Sequence, residues 1–236
     1  MKSIIFRGSS RGHADHGWLD TWHTFSFASY YDPSRIHFGS LRVFNDDYIA
    51  GGEGFGRHPH DNMEITTIVL EGTLEHKDSM GHTQQIGPNE VQVMSAGTGI
   101  FHSEYNADPE ATVNLFQVWI FPSKKNITPR YDQKEFDPAL RLNRWQILVA
   151  PDEEGALMLN QQAWFSRILL DKGKAADYEL HDPSHGVYIM MINGTADVDG
   201  TKLETRDGLG VSDTLRVNVK AETASDILLI EVPMQT

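Results

Sequence analysis

Two pairs of side chains at alternate positions are the residues of this sequence best suited to metal chemistry. His58 and His60 flank a proline in GRHPHDNME, and His102 and Glu104 follow a glycine-rich turn in GTGIFHSEYN. In a β-strand, residues i and i+2 point to the same face, roughly 6.6 Å apart between Cα atoms. Each pair can therefore offer both side chains to one ion. Imidazole and carboxylate ligands suit Fe(II) and also Mn, Ni, Cu or Zn.

Each of these residues also has an ordinary structural interpretation. An isolated His-x-His is typical of a polar turn before a strand, and a single His102 is typical of a hydrogen-bonded core histidine. Two such pairs beside glycine-rich turns favour a metal site. The alternation that starts at His60 also places Glu64 on the same face, so spacing leaves both Glu64 and Glu104 open as the carboxylate ligand. The alternative role for Glu64 is to orient a ligating imidazole.

These residues are expected to lie on β-strands. Short segments such as EITTIVLEG, VNLFQVWIF and GVYIMMING are separated by Gly, Pro, Asp and Asn, a spacing that predicts an all-β sandwich or barrel. The stretch 132–144 predicts one short helical turn near its middle.

An internal repeat indicates two similar barrels in tandem. Strand, Gly-Thr hairpin, turn and strand follow in the same order around Gly72 and around Gly194. A polar segment with three prolines, residues 121–138, separates the two copies. We therefore expect an N-terminal barrel over residues 1–130 and a C-terminal barrel over residues 131–236.

Composition excludes several classes of function. The chain has 236 residues and no cysteine, so any metal must be held by nitrogen and oxygen ligands. A net charge of −13 argues against direct binding to nucleic acid, which needs a basic face. No apolar run is long enough for a signal-peptide core or a membrane span. We expect a cytoplasmic protein.

Two further groups of histidines are interpreted structurally. An N-terminal cluster sits among aromatic residues and predicts a packed, hydrogen-bonded arm rather than a second metal site; its members are His13, Asp15, His16 and His23. His181 and His185 lie in HDPSHG, which predicts a turn, and they are given no role.

The motifs resemble those of a known family. The stretch from Gly52 to Glu64 is similar to the first cupin motif, and Gly99 to Asn106 to the end of the second, although Gly97 stands where many cupins have proline. HPH, the LEGT turn, SAGTGIFHSEYN and the N-terminal RGHADHGWLDTWHTFSFASYYDP more closely resemble the bacterial pirin-like proteins.

The resemblance implies a bicupin fold of two jelly-roll barrels with a metal site in the N-terminal barrel only. The ligand set that it implies is His58, His60, His102 and Glu104, and it favours Glu104 over Glu64. In the second barrel, Leu180 and Asp182 stand opposite the His-x-His pair, so that barrel is expected to be structural.

The resemblance also implies an activity. Bacterial members are associated with quercetin 2,3-dioxygenase activity, which opens the central ring of a flavonol with O₂ and releases carbon monoxide. We therefore expect an oxidoreductase with a small aromatic substrate, a divalent cofactor that is Fe(II) in the first instance, and Glu104 as the catalytic base. Two alternatives stay open: a metal-dependent, redox-sensing regulator that binds a protein partner, and an orphan cupin that acts on another phenol or enol. A monomer is expected.

Overall fold

The β-type segments of the sequence form strands throughout the computed structural model, which describes residues 1–235. These strands make four sheets, two of seven strands and two of four. Nearly all the pairings are antiparallel, as hairpin connections require. The all-β, two-barrel prediction is confirmed.

The N-terminal half contains eleven consecutive strands. They are β2 (Gly12–Asp15), β3 (Leu19–His23), β4 (Leu41–Ile49), β5 (Gly54–His60), β6 (Glu64–Glu71), β7 (Leu74–Asp78), β8 (Thr83–Ile86), β9 (Glu90–Ser95), β10 (Ile100–Asn106), β11 (Val113–Ile120) and β12 (Arg130–Glu135). The large N-terminal sheet has the order β12-β9-β6-β11-β4-β3-β2, and the small one has the order β5-β10-β7-β8. The His58/His60 pair and the His102/Glu104 pair therefore both lie in the small sheet.

The C-terminal half repeats this plan. Its strands are β13 (Gln146–Ala150), β14 (Leu157–Met158), β15 (Trp164–Leu170), β16 (Ala175–Glu179), β17 (His185–Asn193), β18 (Thr195–Val198), β19 (Thr201–Glu204), β20 (Gly208–Ser212), β21 (Arg216–Ala221) and β22 (Ser225–Pro233). The small sheet has the order β16-β21-β18-β19. The large sheet has the order β20-β17-β22-β15-β13-β14, and β1 (Lys2–Phe6) joins it beside β20.

The strands at the two ends of the first half, β1 and β12, pair with different sheets. The first strand, β1, pairs with β20 of the C-terminal sheet, although it precedes the N-terminal barrel in the chain. The strand β12 begins at Arg130 and pairs with β9 of the N-terminal sheet. The boundary between residues 130 and 131 stays a prediction.

Three apolar clusters show how the sheets are layered. The largest lies between the two seven-stranded sheets and joins Phe44 and Phe116 of the first half to Phe165 and Leu228 of the second. Each small sheet then encloses a second core against its own large sheet, so the layers run small, large, large, small. The interior of the C-terminal barrel is filled by aliphatic side chains.

Regular helix is scarce in the described residues. Within residues 1–235 there are two short 3₁₀ helices, Gly8–Ser10 and Pro138–Arg141. The second confirms the helical turn predicted within 132–144, and Asp137 caps it by accepting a hydrogen bond from the Ala139 N–H. No helix in this part of the chain is long and apolar enough to cross a membrane.

Candidate metal centre

The two predicted pairs of ligand residues lie on adjacent antiparallel strands. β5 carries His58 and His60, and β10 carries His102 and Glu104, with His58 directly opposite His102. Alternation along β10 buries His102 and Glu104 while the residues between and beside them are more exposed. A register shift between His102 and Glu104 sets Glu104 opposite Phe55. The extra residue of this irregularity lies on β5, and Glu104 shares a face of β10 with His102 through the alternation of that strand.

Three imidazoles converge at this point. Ligand nitrogens of His58, His60 and His102 lie within 4.8 Å of one another. Their ring centroids are 4.4 to 4.9 Å apart. His58 donates from Nδ1 to the Gly56 carbonyl oxygen at 2.8 Å, which leaves Nε2 with its lone pair free. The arrangement suits a divalent cation with nitrogen ligands.

One orphaned atom supports the fit of a metal ion. The Nε2 atom of His102 is buried and has no hydrogen-bond partner. A buried polar atom without a partner normally costs free energy, and such groups call for an explanation such as an ion. The donor set of His58, His60 and His102 supplies that explanation.

Glu104 belongs to a second group of potential metal ligands, in which ligand atoms of His76, His102 and Glu104 lie within 4.8 Å of one another. Glu104 is 3% exposed and lines the same cavity as His58 and His60. The Gln117 side-chain amide donates to both of its oxygens, at 3.3 and 3.1 Å, and the Thr67 hydroxyl donates to Oε1 at 3.5 Å. Its carboxylate is thus held in place without a counter-charge at salt-bridge distance in residues 1–235.

The Glu64 side chain makes hydrogen bonds away from the three imidazoles. Its Oε2 accepts hydrogen bonds from the Ser95 hydroxyl at 2.7 Å and from the Asn160 backbone N–H at 3.1 Å. Asn160 belongs to the second half of the chain, so this carboxyl links the two halves. Glu64 is fully buried and stands outside both groups of potential metal ligands in the described residues. Burial raises its pKa.

The electrostatics of the site favour neutral imidazoles. Burial, together with the neighbouring His102 and His58, lowers the pKa of His60 to about 4. Burial, together with His58 and His76, lowers the pKa of His102 to about 3. Both rings are therefore neutral imidazoles near neutral pH, the charge state in which imidazole binds a metal.

A cavity opens beside the metal centre. Its volume is about 190 Å³, and aromatic side chains form its walls: Phe27, Phe55 and Trp119. A second cavity of about 300 Å³ shares Phe27, Asn45, Asp47 and Phe55 with it and extends towards the N-terminal hairpin. The shared residues make the two cavities neighbours, and His58 and His60 line the first.

A buried acid lines both cavities. Asp47 accepts a 2.5 Å hydrogen bond from the Thr21 hydroxyl. Burial above all, and the charges of Asp46 and Glu104, raise its pKa to about 7. No local motif marks Asp47, and its strand is placed by the long-range pairing of β4 with β11, so it could not be predicted from the sequence.

The other histidine clusters have structural partners. β2 and β3 form a hairpin that adds to the large N-terminal sheet. His13 bonds to Asp20 and stacks on Trp22, while buried His23 bonds to Asn45. His23 is packed and hydrogen-bonded as predicted for the arm, whereas His13, Asp15 and His16 are exposed.

In the second half, the predicted turn precedes β17. His181 and His185 each bond through Nδ1 to buried Glu231, at 2.7 and 2.9 Å. The turn was predicted correctly. The distant Glu231 partner could not be predicted from spacing.

Comparison with known proteins agrees with this geometry. The Pirin family model matches residues 6–120, and the model of the quercetinase C-terminal cupin domain matches residues 147–232. Over 228 residues the chain is 45% identical to the quercetin 2,3-dioxygenase of Escherichia coli (strain K12), covering 96% of this chain and 97% of that protein. The chain belongs to the pirin family.

Solved structures of this pirin family share the whole architecture. The crystal structure of YhhW from Escherichia coli superimposes with a TM-score of 0.95 at 43% identity and covers 100% of both chains. The bacterial pirin YhhW in complex with nickel(II), also from Escherichia coli, gives a TM-score of 0.93 at 43% identity over 98% of this chain and 99% of that chain. The predicted family and the predicted likeness to quercetin 2,3-dioxygenases are confirmed.

Proposed function

We propose that this pirin-family protein is a metal-dependent dioxygenase that opens the central ring of flavonols such as quercetin with O₂ and releases carbon monoxide. The observation that carries the proposal is the buried, unpartnered Nε2 of His102 on a ring grouped with His58 and His60, two imidazoles that line an aromatic-walled cavity. The name of the 45% identical Escherichia coli relative supports the reaction type.

We assign His58, His60, His102 and Glu104 as the metal ligands and Fe(II) as the ion. Nickel(II) bound to the related YhhW supports a divalent cation, and the same ligand types accept Mn, Cu and Zn. A divalent ion at this place supplies Lewis acidity that lowers the pKa of a bound hydroxyl. Side chains of the protein orient the substrate, accept its proton and exclude water.

The cavity walls favour a flat aromatic substrate. Phe27, Phe55 and Trp119 offer ring faces and edges, and planar rings pack well against such surfaces. Asn45 and Asp47 provide polar groups further from the metal centre, where a phenolic hydroxyl can hydrogen-bond. A few polar groups in a mostly apolar cavity fix the orientation of a ligand.

Glu104 is placed to accept the proton of the reacting hydroxyl. Its two oxygens both receive hydrogen bonds from Gln117, so the carboxylate can shift between ligand and base while keeping one bond. The surrounding buried residues keep bulk water away from the reacting group.

The test is loss of quercetin absorbance under air, with metal-free protein reconstituted separately with Fe(II), Mn(II), Ni(II), Cu(II) and Zn(II). The double variant His58→Ala/His60→Ala is the control. We expect bleaching with carbon monoxide release that needs an ion and is absent in the variant. Stoichiometric binding without turnover by any ion would contradict the proposal and favour another phenol or enol as substrate, or the regulatory role.

A further inference from the structure

A chain of polar side chains leads from His102 away from the metal centre. The Nδ1 atom of His102 lies 3.5 Å from Nδ1 of His76 on the neighbouring strand β7. Nε2 of His76 lies 3.2 Å from Oδ2 of Asp78. The side chains of His76 and Asp78 are fully buried. The proposed function does not use either residue.

The hydrogen bonds to Asp78 fix the direction of this chain. Its Oδ1 accepts from the backbone N–H groups of Met80 and His82, at 2.9 and 3.1 Å. Its Oδ2 faces Nδ1 of His82 at 2.8 Å as well as Nε2 of His76. An ionised carboxylate can only accept, so Nε2 of His76 carries the proton.

The tautomer of His76 then sets that of His102. A neutral imidazole with a proton on Nε2 has a bare Nδ1, which accepts a hydrogen bond. The Nδ1 of His102 must therefore donate, and Nε2 of His102 is left bare. That is the orphaned atom of a ring whose centroid lies 4.4 Å from that of His58 and 4.9 Å from that of His60.

We propose that Asp78 and His76 are positioning residues that hold His102 in the tautomer whose Nε2 is free to bind the metal ion. The proposal rests on the assignment of His102 as a ligand. Partners of this kind fix the orientation of ligating imidazoles, and their loss weakens metal affinity about 10- to 100-fold. Tyr131 lies against the His76 ring, with centroids 4.6 Å apart, and limits its rotation.

The variant Asp78→Asn should reverse the direction of hydrogen-bond donation between residue 78, His76 and His102. The backbone N–H groups of Met80 and His82 keep an oxygen at the Oδ1 position, so the new amide NH₂ takes the position that faces His76. It donates to Nε2 of His76, which must then donate from Nδ1 to His102. His102 is forced to carry its proton on Nε2, where it blocks the metal.

Two measurements test this on the full chain: the imidazole ¹⁵N chemical shifts of His102 in metal-free protein, and the Ni(II) dissociation constant by chelator competition. We expect His102 protonated on Nδ1 in the wild type and on Nε2 in Asp78→Asn, with Ni(II) affinity at least tenfold weaker. His82→Ala is the matched control, because it removes a donor to Asp78 but leaves the His76 bond; its affinity should stay within threefold of the wild type.

A second variant covers the case in which Asp78→Asn does not fold. His76→Phe keeps a ring against Tyr131 but removes both nitrogens, and it should also weaken Ni(II) binding. Wild-type affinity in either variant, or weaker binding in Asp78→Asn with His102 still protonated on Nδ1, would overturn the proposal. If the wild type fails to bind Ni(II) but Asp78→Asn still reverses the His102 tautomer, the hydrogen bonds from His102 through His76 to Asp78 would be supported. The proposed metal centre would then be contradicted.

Discussion

At the scale of single residues, the choice between two carboxylates depends on where their strands direct them. Glu104 lines the cavity with His58 and His60, whereas Glu64 bonds to Ser95 and Asn160. Both were allowed by the i, i+2 alternation of the sequence. The geometry supports Glu104, and its assignment as a ligand stays a proposal.

Paired substitutions test that assignment. Glu104→Gln removes a charged ligand and should weaken Ni(II) binding at least tenfold, about 1.4 kcal/mol, and abolish turnover. Glu64→Gln keeps an oxygen that can accept from Ser95 and Asn160, so metal affinity should change less than threefold. Chelator competition on both variants gives the answer. If Glu64→Gln weakens Ni(II) binding and Glu104→Gln keeps wild-type affinity, Glu64 rather than Glu104 would be the carboxylate ligand.

Asp47 should make the stability of the metal-free protein depend on pH. Its folded-state pKa is raised from 3.8 to about 7 by burial. Between these values the folded state binds more protons than the unfolded state, so this contribution is fully present below pH 4 and is lost as the pH rises through 7. It amounts to at most about 4 kcal/mol.

Urea unfolding of wild type and Asp47→Asn between pH 4 and 8 measures this contribution. Asparagine cannot titrate, so the stability of the variant relative to the wild type should increase as the pH rises from 4 to 7. The increase should then level off. A difference that is flat across the whole range would show that Asp47 does not take up its proton on folding.

At the scale of elements, close contact between β5 and β10 holds the four proposed ligands together. A Cβ added at Gly54 would clash with the Glu104 carbonyl oxygen and with Tyr105 on the facing strand. At Gly56, on the same strand, the nearest atom outside the adjacent residues is the Tyr105 hydroxyl, 3.7 Å away, an ordinary contact. The two glycines of β5 therefore have different sensitivity to an added methyl group.

Gly54→Ala should separate the strands and weaken the metal centre. We expect a loss of about 1–3 kcal/mol in unfolding free energy, as for other overpacked positions, with weaker Ni(II) binding. Gly56→Ala is the matched control and should retain both. Thermal unfolding and chelator competition on the two variants measure the difference; equal behaviour would contradict a role for close strand contact.

A similar close approach explains a departure from the cupin pattern. Gly97 has φ of +49°, and its Cβ position would overlap the Ile127 carbonyl oxygen. The Thr98 backbone N–H donates to that same oxygen at 2.9 Å. Proline, whose φ is fixed near −65°, cannot occupy this conformation. The segment before β12 thus takes the space that the side chain of a more typical cupin residue would fill.

At the scale of the whole molecule, one apolar core couples the two barrels. Phe44 of the first half and Leu228 of the second belong to the same cluster, and both are fully buried. Arg206 reaches from the second half to Asp46 at 3.0 Å, and Arg11 approaches the same carboxylate at 3.2 Å. The crossed strand β1 adds main-chain hydrogen bonds between the halves.

The barrels should therefore unfold together. Calorimetry should give a single transition with equal calorimetric and van't Hoff enthalpies. Phe44→Ala should lower stability by about 3–5 kcal/mol and Leu228→Ala by about 2–5 kcal/mol, each without splitting the transition. Two resolved transitions in the wild type would show that the barrels are independent.

The local features of this protein can be predicted from neighbouring residues in the chain. Alternation and turn residues predicted the all-β class, and the repeat around Gly72 and Gly194 predicted two barrels. The spacing of His58, His60, His102 and Glu104 predicted two ligand pairs on strands. The structure brings the three imidazoles within 4.8 Å of one another and places Glu104 in the cavity beside His58 and His60, and the four-ligand set stays a proposal. These features depend on the period of a β-strand, which is written in neighbouring residues. The cytoplasmic location and the monomeric state stay predictions.

Contacts between side chains of different strands depend on long-range pairing and could not be predicted from the sequence. The direction of Glu64 towards Asn160, the buried Asp47 beside the cavity, and the chain from His102 through His76 to Asp78 all join residues brought together by long-range strand pairing. Sheet order is set by long-range pairing and by burial of the core between the large sheets, and no local pattern encodes either. A strand's own period tells which residues share a face, but the neighbouring strands decide what that face contacts.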